Sequence, residues 1–407
     1  MTSALPFLSR LDPAGQTLLF SVPVGGAGVQ LDSNGNVYVG GGVGGSILGF
    51  YEVTAGLPVL ASLPTPCLPN NLTILKSAYV AQVDAGSGNV LGAQFIGGST
   101  LTASGVALSG SVLWVAGATN LADFPFTPSV LTLASFGPGP LPGAYLGAVD
   151  FSQPQPPAGT PQIGCIVDAA DVMAAAGPAA RYELLTILGT GLGPASGAIA
   201  ADNSTTTLAG VNVSFDAIPA PLLYASSTQI NLAVPLVPLS QSLASMQLTV
   251  NGAAAPARQF PLTYANASLF VNTQETFLPA GVSPGLVAVA LNADGSVNSA
   301  GNPAPLGSAV SVFVNGLTPN PQVSNATLQF FADLGWSVTN IVQSTPFVLR
   351  VELQAPTALV NDFSCGPPPP YSVCAAAFDL YDVTGGSVGL PISSSGAAFR
   401  GVVYVER

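Results

Sequence analysis

The chain has no histidine and a single lysine, Lys76, so its chemistry must come from carboxylates, hydroxyls, cysteines and aromatic rings. Without an imidazole, a Ser-His-Asp triad, a Cys-His pair and a histidine metal site are all excluded. A serine nucleophile activated by lysine would have to use Lys76, and its Leu75-Lys76-Ser77 setting reads as a solvated charge at a strand entry. Paired carboxylates facing each other across a cleft would hydrolyse glycosides, but the 19 acidic residues are spread along the chain without a cluster. Asp32-Ser33-Asn34-Gly35 opens like a calcium loop, yet it lacks the further carboxylates and closing Glu that such a loop requires. It reads as an Asx turn. Gly189-Thr190-Gly191-Leu192-Gly193 has no P-loop lysine and no following helix, and Pro194 removes a backbone donor, so it is expected to be a tight turn between strands. Trp114, Tyr224 and Trp336 would stack on sugars if exposed together, and they read as core if they point inward from strands. On these grounds no catalytic, cofactor-binding or metal residue is assigned and no cofactor is expected.

The elements that would position such residues are short strands. The organising stretch is Leu208 to Pro235, where Val211, Val213 and Phe215 alternate with polar residues and Ile230, Leu232 and Val234 do so again, the period of half-buried strands. Asp216-Ala217-Ile218-Pro219 and Ser226-Ser227-Thr228 read as turns on either side of a middle strand, Leu222-Leu223-Tyr224. The expectation is a three-stranded meander. Asp168 to Ala176 reads as a short connecting helix that ends at Gly177-Pro178.

Residues 1–157 contain a repeat. Phe7-Leu8-Ser9-Arg10-Leu11-Asp12 recurs as Tyr79-Val80-Ala81-Gln82-Val83-Asp84, 72 residues on, and as Tyr145-Leu146-Gly147-Ala148-Val149-Asp150, 66 further. Val24-Gly25-Gly26 recurs as Ile96-Gly97-Gly98, and Asn36-Val37-Tyr38-Val39-Gly40 has a counterpart in Val112-Leu113-Trp114-Val115-Ala116-Gly117. With Leu31-Asp32-Ser33-Asn34-Gly35-Asn36-Val37-Tyr38-Val39-Gly40 and Asp123-Phe124-Pro125, this pattern resembles the SBBP-type β-propeller repeats of exported bacterial proteins. The resemblance implies propeller-like blades, and two repeats plus the opening strand of a third do not close a ring.

Past a proline-rich linker at Pro154, Pro156, Pro157 and Pro161, the chain repeats again. Ile187 to Pro194 lines up with Val312 to Pro319 at an offset of 125, Leu232-Ala233-Val234-Pro235 with Leu353-Gln354-Ala355-Pro356 at 121, and Met246-Gln247-Leu248 with Phe378-Asp379-Leu380 at 132. The jump in offset locates an insertion, Cys365 to Cys374. Short strands punctuated by Gly, Pro and Asn over units of this size fit two Ig-like sandwiches, residues 158–268 and 269–407. The motifs Ile187 to Pro194, Gly210 to Val213, Ile218 to Tyr224, Ser227 to Asn231 and Ala290-Leu291-Asn292-Ala293-Asp294-Gly295-Ser296-Val297-Asn298 resemble a family of uncharacterised C-terminal Ig-like modules on large exported bacterial proteins. That resemblance implies an architecture and an export route, and no activity.

The expected class is therefore all-β: partial β-propeller-like blades followed by two Ig-like β-sandwich domains. Cys365 and Cys374 are expected to staple the proline-rich insertion as a disulfide, with Cys67 and Cys165 pairing only if the linker folds back on the blades. Charged residues are 6% of the chain and the formal charge is −12, which excludes the clustered basic surface that nucleic acid requires. Prolines and polar residues interrupt every long apolar run, so no membrane span is expected. Met1-Thr2-Ser3 does not open a signal peptide, and the expectation is either that the true start lies upstream or that this is the C-terminal part of a longer product. The composition suits an extracellular or cell-surface location with a structural, adhesion or scaffold role and a protein or glycan as partner. A glycan-binding module and a carboxylate-pair glycoside hydrolase are the alternatives.

Overall fold

A computed structural model describes residues 7–22, 24, 26, 28–43, 77–96, 102–119, 143–152, 160–171, 178–238, 242–272, 286–317, 329–358, 363–365, 373–382, 390–392 and 401–406. Among these residues the chain is all-β, without a helix, and accordingly none is long and apolar enough to cross a membrane. Lys76, Cys67 and Asp123-Phe124-Pro125 lie outside the described residues, as do 172–177 of the expected connecting helix.

The N-terminal repeats form a ribbon, Leu8–Leu11 with Leu18–Val22, and two larger antiparallel sheets. One sheet runs Gly28–Leu31, Val37–Val43, Ser77–Val83, Val90–Ile96, and the other runs Thr102–Ser109, Val112–Thr119, Gly143–Asp150. The opening strand of each later repeat thus pairs with the hairpin that precedes it: Val37–Val43 pairs with Ser77–Val83 and Val112–Thr119 with Gly143–Asp150. Tyr38, Val80, Leu113, Val115, Tyr145 and Val149 form one buried cluster across both sheets. The repeated Asp is explained by the turn that follows each opening strand. The Oδ1 of Asp12 accepts the Gln16 N–H at 2.7 Å, that of Asp84 the Ser87 N–H at 2.7 Å, and that of Asp150 the Ser152 N–H at 3.0 Å. Hydrogen bonds, led by Gln16 N–H for Asp12 and the Ser87 hydroxyl for Asp84, hold both carboxyls below their ordinary range. Asp32 makes the expected Asx turn, accepting the N–H of Asn34 and of Asn36, each at 2.8 Å.

Strands from Gln162 to Pro261 build a unit of two facing five-stranded sheets. The first sheet has the order Gln162–Asp168, Leu184–Thr190, Gln229–Ala233, Leu222–Ala225, Ala198–Ile199. The second runs Ile218–Pro219, Val211–Phe215, Leu243–Val250, Ala253–Ala254, with Arg258–Pro261 also on Leu243–Val250. Inward residues of both share one core, in which the rings of Phe215 and Phe260 meet edge to face at 6.0 Å. The Val211–Phe215 strand buries alternate side chains as its sequence requires, but the expected meander is corrected. Asp216 and Ala217 take positive φ values of 48° and 66°, a two-residue turn of the type that suits strand twist, so Ile218 and Pro219 already belong to the return strand. The chain then crosses to the other sheet before Leu222. Pro219 and Pro221 cannot donate to a ladder, and Leu222 N–H bonds Thr205 C=O at 2.7 Å instead.

Strands from Ser268 to Glu406 build a second unit around another core. One sheet has Ser268–Leu269, Ala309–Asn315, Leu349–Gln354 and Ser337–Gln343 in order, with Ala290–Asn292 also on Ala309–Asn315. Facing residues come from a sheet centred on Gly401–Glu406, which is buried along Gly401 to Val405 and pairs antiparallel with Val373–Phe378 and parallel with Leu286–Val287 and Ala304–Pro305. Between those two parallel pairings the chain crosses to the other sheet as Ala290–Asn292 and returns through a loop, and the Asn298 side chain fills the gap. Its Nδ2 donates to Tyr404 C=O and its Oδ1 accepts Tyr404 N–H, both at 2.8 Å. A carboxamide has the donor and acceptor of a peptide group, so it continues the ladder where backbone is missing.

Cys365 lies directly opposite Cys374 in the antiparallel pair of Phe363–Cys365 with Val373–Phe378. Such a pair brings Cα atoms to about 4.5–5.5 Å, inside the span a disulfide bridges. Cys165 and Cys374 are both disulfide-bonded. Peptide mass mapping of the unreduced protein is expected to find Cys365 joined to Cys374, a closure contributing about 2.5–3 kcal/mol in the chain-entropy picture. Recovery of Cys365 as a free thiol would contradict that pairing.

Candidate functional site

The described residues gather acidic side chains in one place, the junction between the two units. Asp168 ends the Gln162–Asp168 strand and is 5% exposed, while Asp171 and Glu183 are fully buried. The local sequence drives this, since Ile166-Val167-Asp168 and Glu183-Leu184-Leu185 place each carboxyl at the edge of an apolar run whose neighbours must be covered.

Neutral amides satisfy the two carboxyls whose bonds are resolved. Asp168 Oδ1 accepts the Ala170 N–H at 2.8 Å and Asn315 Nδ2 at 2.7 Å. Glu183 Oε2 accepts the Ala180 N–H at 2.7 Å, and its Oε1 accepts Asn266 Nδ2 at 2.9 Å. Asn315 is the centre of the arrangement. Besides Asp168 it grips the Leu184 backbone, its Oδ1 accepting Leu184 N–H at 2.8 Å and its Nδ2 donating to Leu184 C=O at 3.0 Å. Asn266 and Asn315 belong to the second unit and the connector leading to it, so the polar bonds run from unit to unit. Gly316 has φ +72°, and a Cβ there would stand 1.8 Å from Asn266 C=O, so only glycine lets the two asparagine-bearing segments approach. An apolar rim completes the contact: Leu184, Ala233 and Phe347 are buried together, and the Phe347 ring lies 5.7 Å from that of Tyr182.

Burial raises the Asp168 carboxyl to about 6, against the bonds from Ala170 and Asn315, with the charge of Asp171 adding to the rise. Burial likewise pushes Glu183 well above the ordinary range, and the charge of Asp168 adds to it. Taking a carboxylate out of water is costly, and that cost shifts both groups toward the protonated form. Chemically the cluster fastens strands, its carboxyls buried at 5%, 0% and 0% exposure for Asp168, Asp171 and Glu183.

The acidic residues therefore do cluster, contrary to the even spread expected from the sequence, because Asp168, Glu183 and the Asn315 segment are distant in the chain and meet only through strand pairing. The three aromatics do not meet. Trp336 is 3% exposed, packs 5.7 Å from Phe378 and donates its indole N–H to Ala377 C=O at 3.1 Å. Tyr224 is half-buried on the Leu222–Ala225 strand beside Gly197, and Trp114, on Val112–Thr119, is 40% exposed. The expected turn over Gly189 to Gly193 is corrected: Gly189 and Thr190 end the Leu184–Thr190 strand, and the chain bends only from Gly191, at φ +65°, with Leu192 buried and the next strand starting at Ala198. Among the described residues no group of three or more His, Cys, Asp or Glu side chains is arranged to hold a metal ion. Comparison with protein-family models and with curated proteins finds no match for this chain.

Proposed function

We propose that the chain is a non-catalytic exported or cell-surface module, with partial propeller-like blades and two Ig-like sandwiches that serve a structural, adhesion or scaffold role. The observation that carries this reading is the junction: the clustered carboxyls, the arrangement closest to a hydrolase dyad, are enclosed and bonded to amides. More exposed acids are engaged in turns, as Asp202 is with Ser204 and Asp294 with Ser296, each through an N–H donor at 2.8 and 2.9 Å. The disulfide-bonded state of Cys165 and Cys374 suits an oxidising compartment outside the cytosol. Carboxyl labelling of the folded protein tests the reading, because a carboxyl that a substrate reaches also reacts with reagent and an enclosed one does not.

The exposure of Trp114 favours glycan binding as a second reading, since an indole face in water is a stacking surface for sugars. Array binding that disappears in Trp114→Ala with the fold intact would support it.

A further inference from the structure

We propose that the outer face of the sheet containing Val112–Thr119 is a docking surface for a second copy of this chain, which seats its Gly28–Leu31 strand there head to tail. The inference goes beyond the export and scaffold reading and does not rest on it.

The chain makes this kind of contact twice within itself. The N-terminal ribbon packs through Leu8, Phe20 and Val22 on one face of the sheet containing Val37–Val43, and the other face of that sheet packs through Tyr38 and Val80 on Leu113, Val115 and Val149 of the next. Repeated residues take the same places in both contacts. Leu8 and Val80 are counterparts in the repeat and each faces the following layer, while Val37 and Val39 receive the ribbon as their counterparts Leu113 and Val115 receive the second layer. Trp114 and Leu146 are the counterparts of Tyr38 and Val80 in the last layer, and they are 40% and 66% exposed. The outer face thus continues the stack and is left in water.

The inner contact also has a shape that recurs outside. Val106 inserts against Gly28 and Gly40, where a Cβ on either glycine would run into its methyl carbons, so the missing side chains are what let the two sheets approach. Gly28 pairs with Gly40 as Gly105 pairs with Ala116, which makes Gly105 and Ala116 the same recess one layer on. A Cβ at Gly105 meets nothing within 4 Å, and Ala116 is exposed beside Ala107, Trp114, Leu146 and Ala148. The valine that fits this recess is identified by the same ladders. Val29 pairs with Val39 as Val106 pairs with Val115, and Leu31 pairs with Val37 as Leu108 pairs with Leu113. Val106 and Leu108 are packed between the layers, but Val29 and Leu31 are 50% and 63% exposed, since the ribbon packs on Val37, Val39 and the strands beyond them.

One chain therefore exposes both halves of the contact, an open recess and an unseated valine with its leucine. They lie on opposite outer sides of the stack, so a second copy is needed to join them. Apolar faces left open in this way mark protein interfaces. Because the two halves differ, each added copy presents a fresh recess or a fresh strand, and assembly runs on until a ring closes.

Sedimentation of the full chain over rising concentration is expected to show a weight-average mass that climbs past that of a dimer. Acrylamide quenching follows the same contact, because the chain has two tryptophans and the other, Trp336, is 3% exposed; quenching of Trp114 should fall as mass grows. Gly105→Arg fills the recess and Val29→Lys charges the residue that enters it. Both positions have room for the new side chain, so each variant is expected to remain a folded single chain. Mixed in equal amounts, the two should pair once and stop at a heterodimer, since one keeps an intact strand and the other an intact recess. Wild-type protein that stays at single-chain mass would overturn the proposal and leave the face to a sugar or an unlike protein. Association that persists in either variant alone, or a mixture that stays monomeric, would also contradict it. So would Trp114 quenching that does not follow mass, a wild-type reading that stands even if a variant does not fold.

Discussion

Replacing Asn298 with alanine is expected to be among the most damaging single changes in the second unit, lowering its unfolding free energy by about 2–6 kcal/mol, because two buried backbone groups each lose a partner at about 1–3 kcal/mol apiece. Tyr404 is fully buried in the central strand, and both its N–H and its C=O are bonded by Asn298. The same Nδ2 also donates to Asn292 Oδ1 at 2.9 Å, which ties the loop to its own base. Asn298→Asp keeps the acceptor for Tyr404 N–H but brings a carboxyl to a site built for an amide, so it is not a rescue. Urea denaturation reads the effect as a lower midpoint at unchanged slope. A loss under about 1 kcal/mol would mean that solvent reaches Tyr404 and that the carboxamide is not substituting for a strand.

The second large effect is expected at Asn315. Asn315→Leu removes the donor to Asp168 and both bonds to Leu184. Leu184 C=O keeps the Ala169 N–H at 3.0 Å, while its own N–H is left without the side chain that accepts from it. The expected cost is about 2–4 kcal/mol, from one unpaired backbone donor and one buried carboxyl short of a bond. Its signature should be loss of coupling: in calorimetry the two units, which are expected to unfold in one transition in the wild type, should separate into two. Destabilisation with a single transition retained would show that the apolar rim around Phe347, and not the asparagine, joins the units.

Much of the fold was legible in the residues themselves. The alternation at Val211, Val213 and Phe215 gave both the strand and its buried face, and Asp32-Ser33-Asn34-Gly35 gave the Asx turn that the structure closes through Asp32 Oδ1. What was not legible depends on pairing between distant segments. The shift from one sheet to the other after Pro219 leaves alternation intact on both sides, so periodicity alone does not reveal it. The site was hidden for the same reason. Asn315 sits in the repeated motif of Val312 to Pro319, where it reads as a turn residue before Gly316, and Asn298 closes a motif that reads as a polar loop. A signal was available in Ile166-Val167-Asp168 and Tyr182-Glu183-Leu184-Leu185. An acidic residue set against an apolar run, in a chain so poor in cations, must find hydrogen-bond donors elsewhere.

The central claim is that the clustered carboxyls are fasteners and not reagents. Carbodiimide-driven amine labelling of the folded full chain at pH 5, read by peptide mass spectrometry, puts it to the most direct test. Asp202, Asp216 and Asp294 are exposed and are expected to take the label readily, while Asp168, Asp171 and Glu183, at 5%, 0% and 0% exposure, are expected to stay unmodified until the protein is unfolded. Modification of Asp168 or Glu183 in the folded chain at the rate of Asp294 would show a carboxyl pair open to solvent, and the structural reading would give way to a catalytic one.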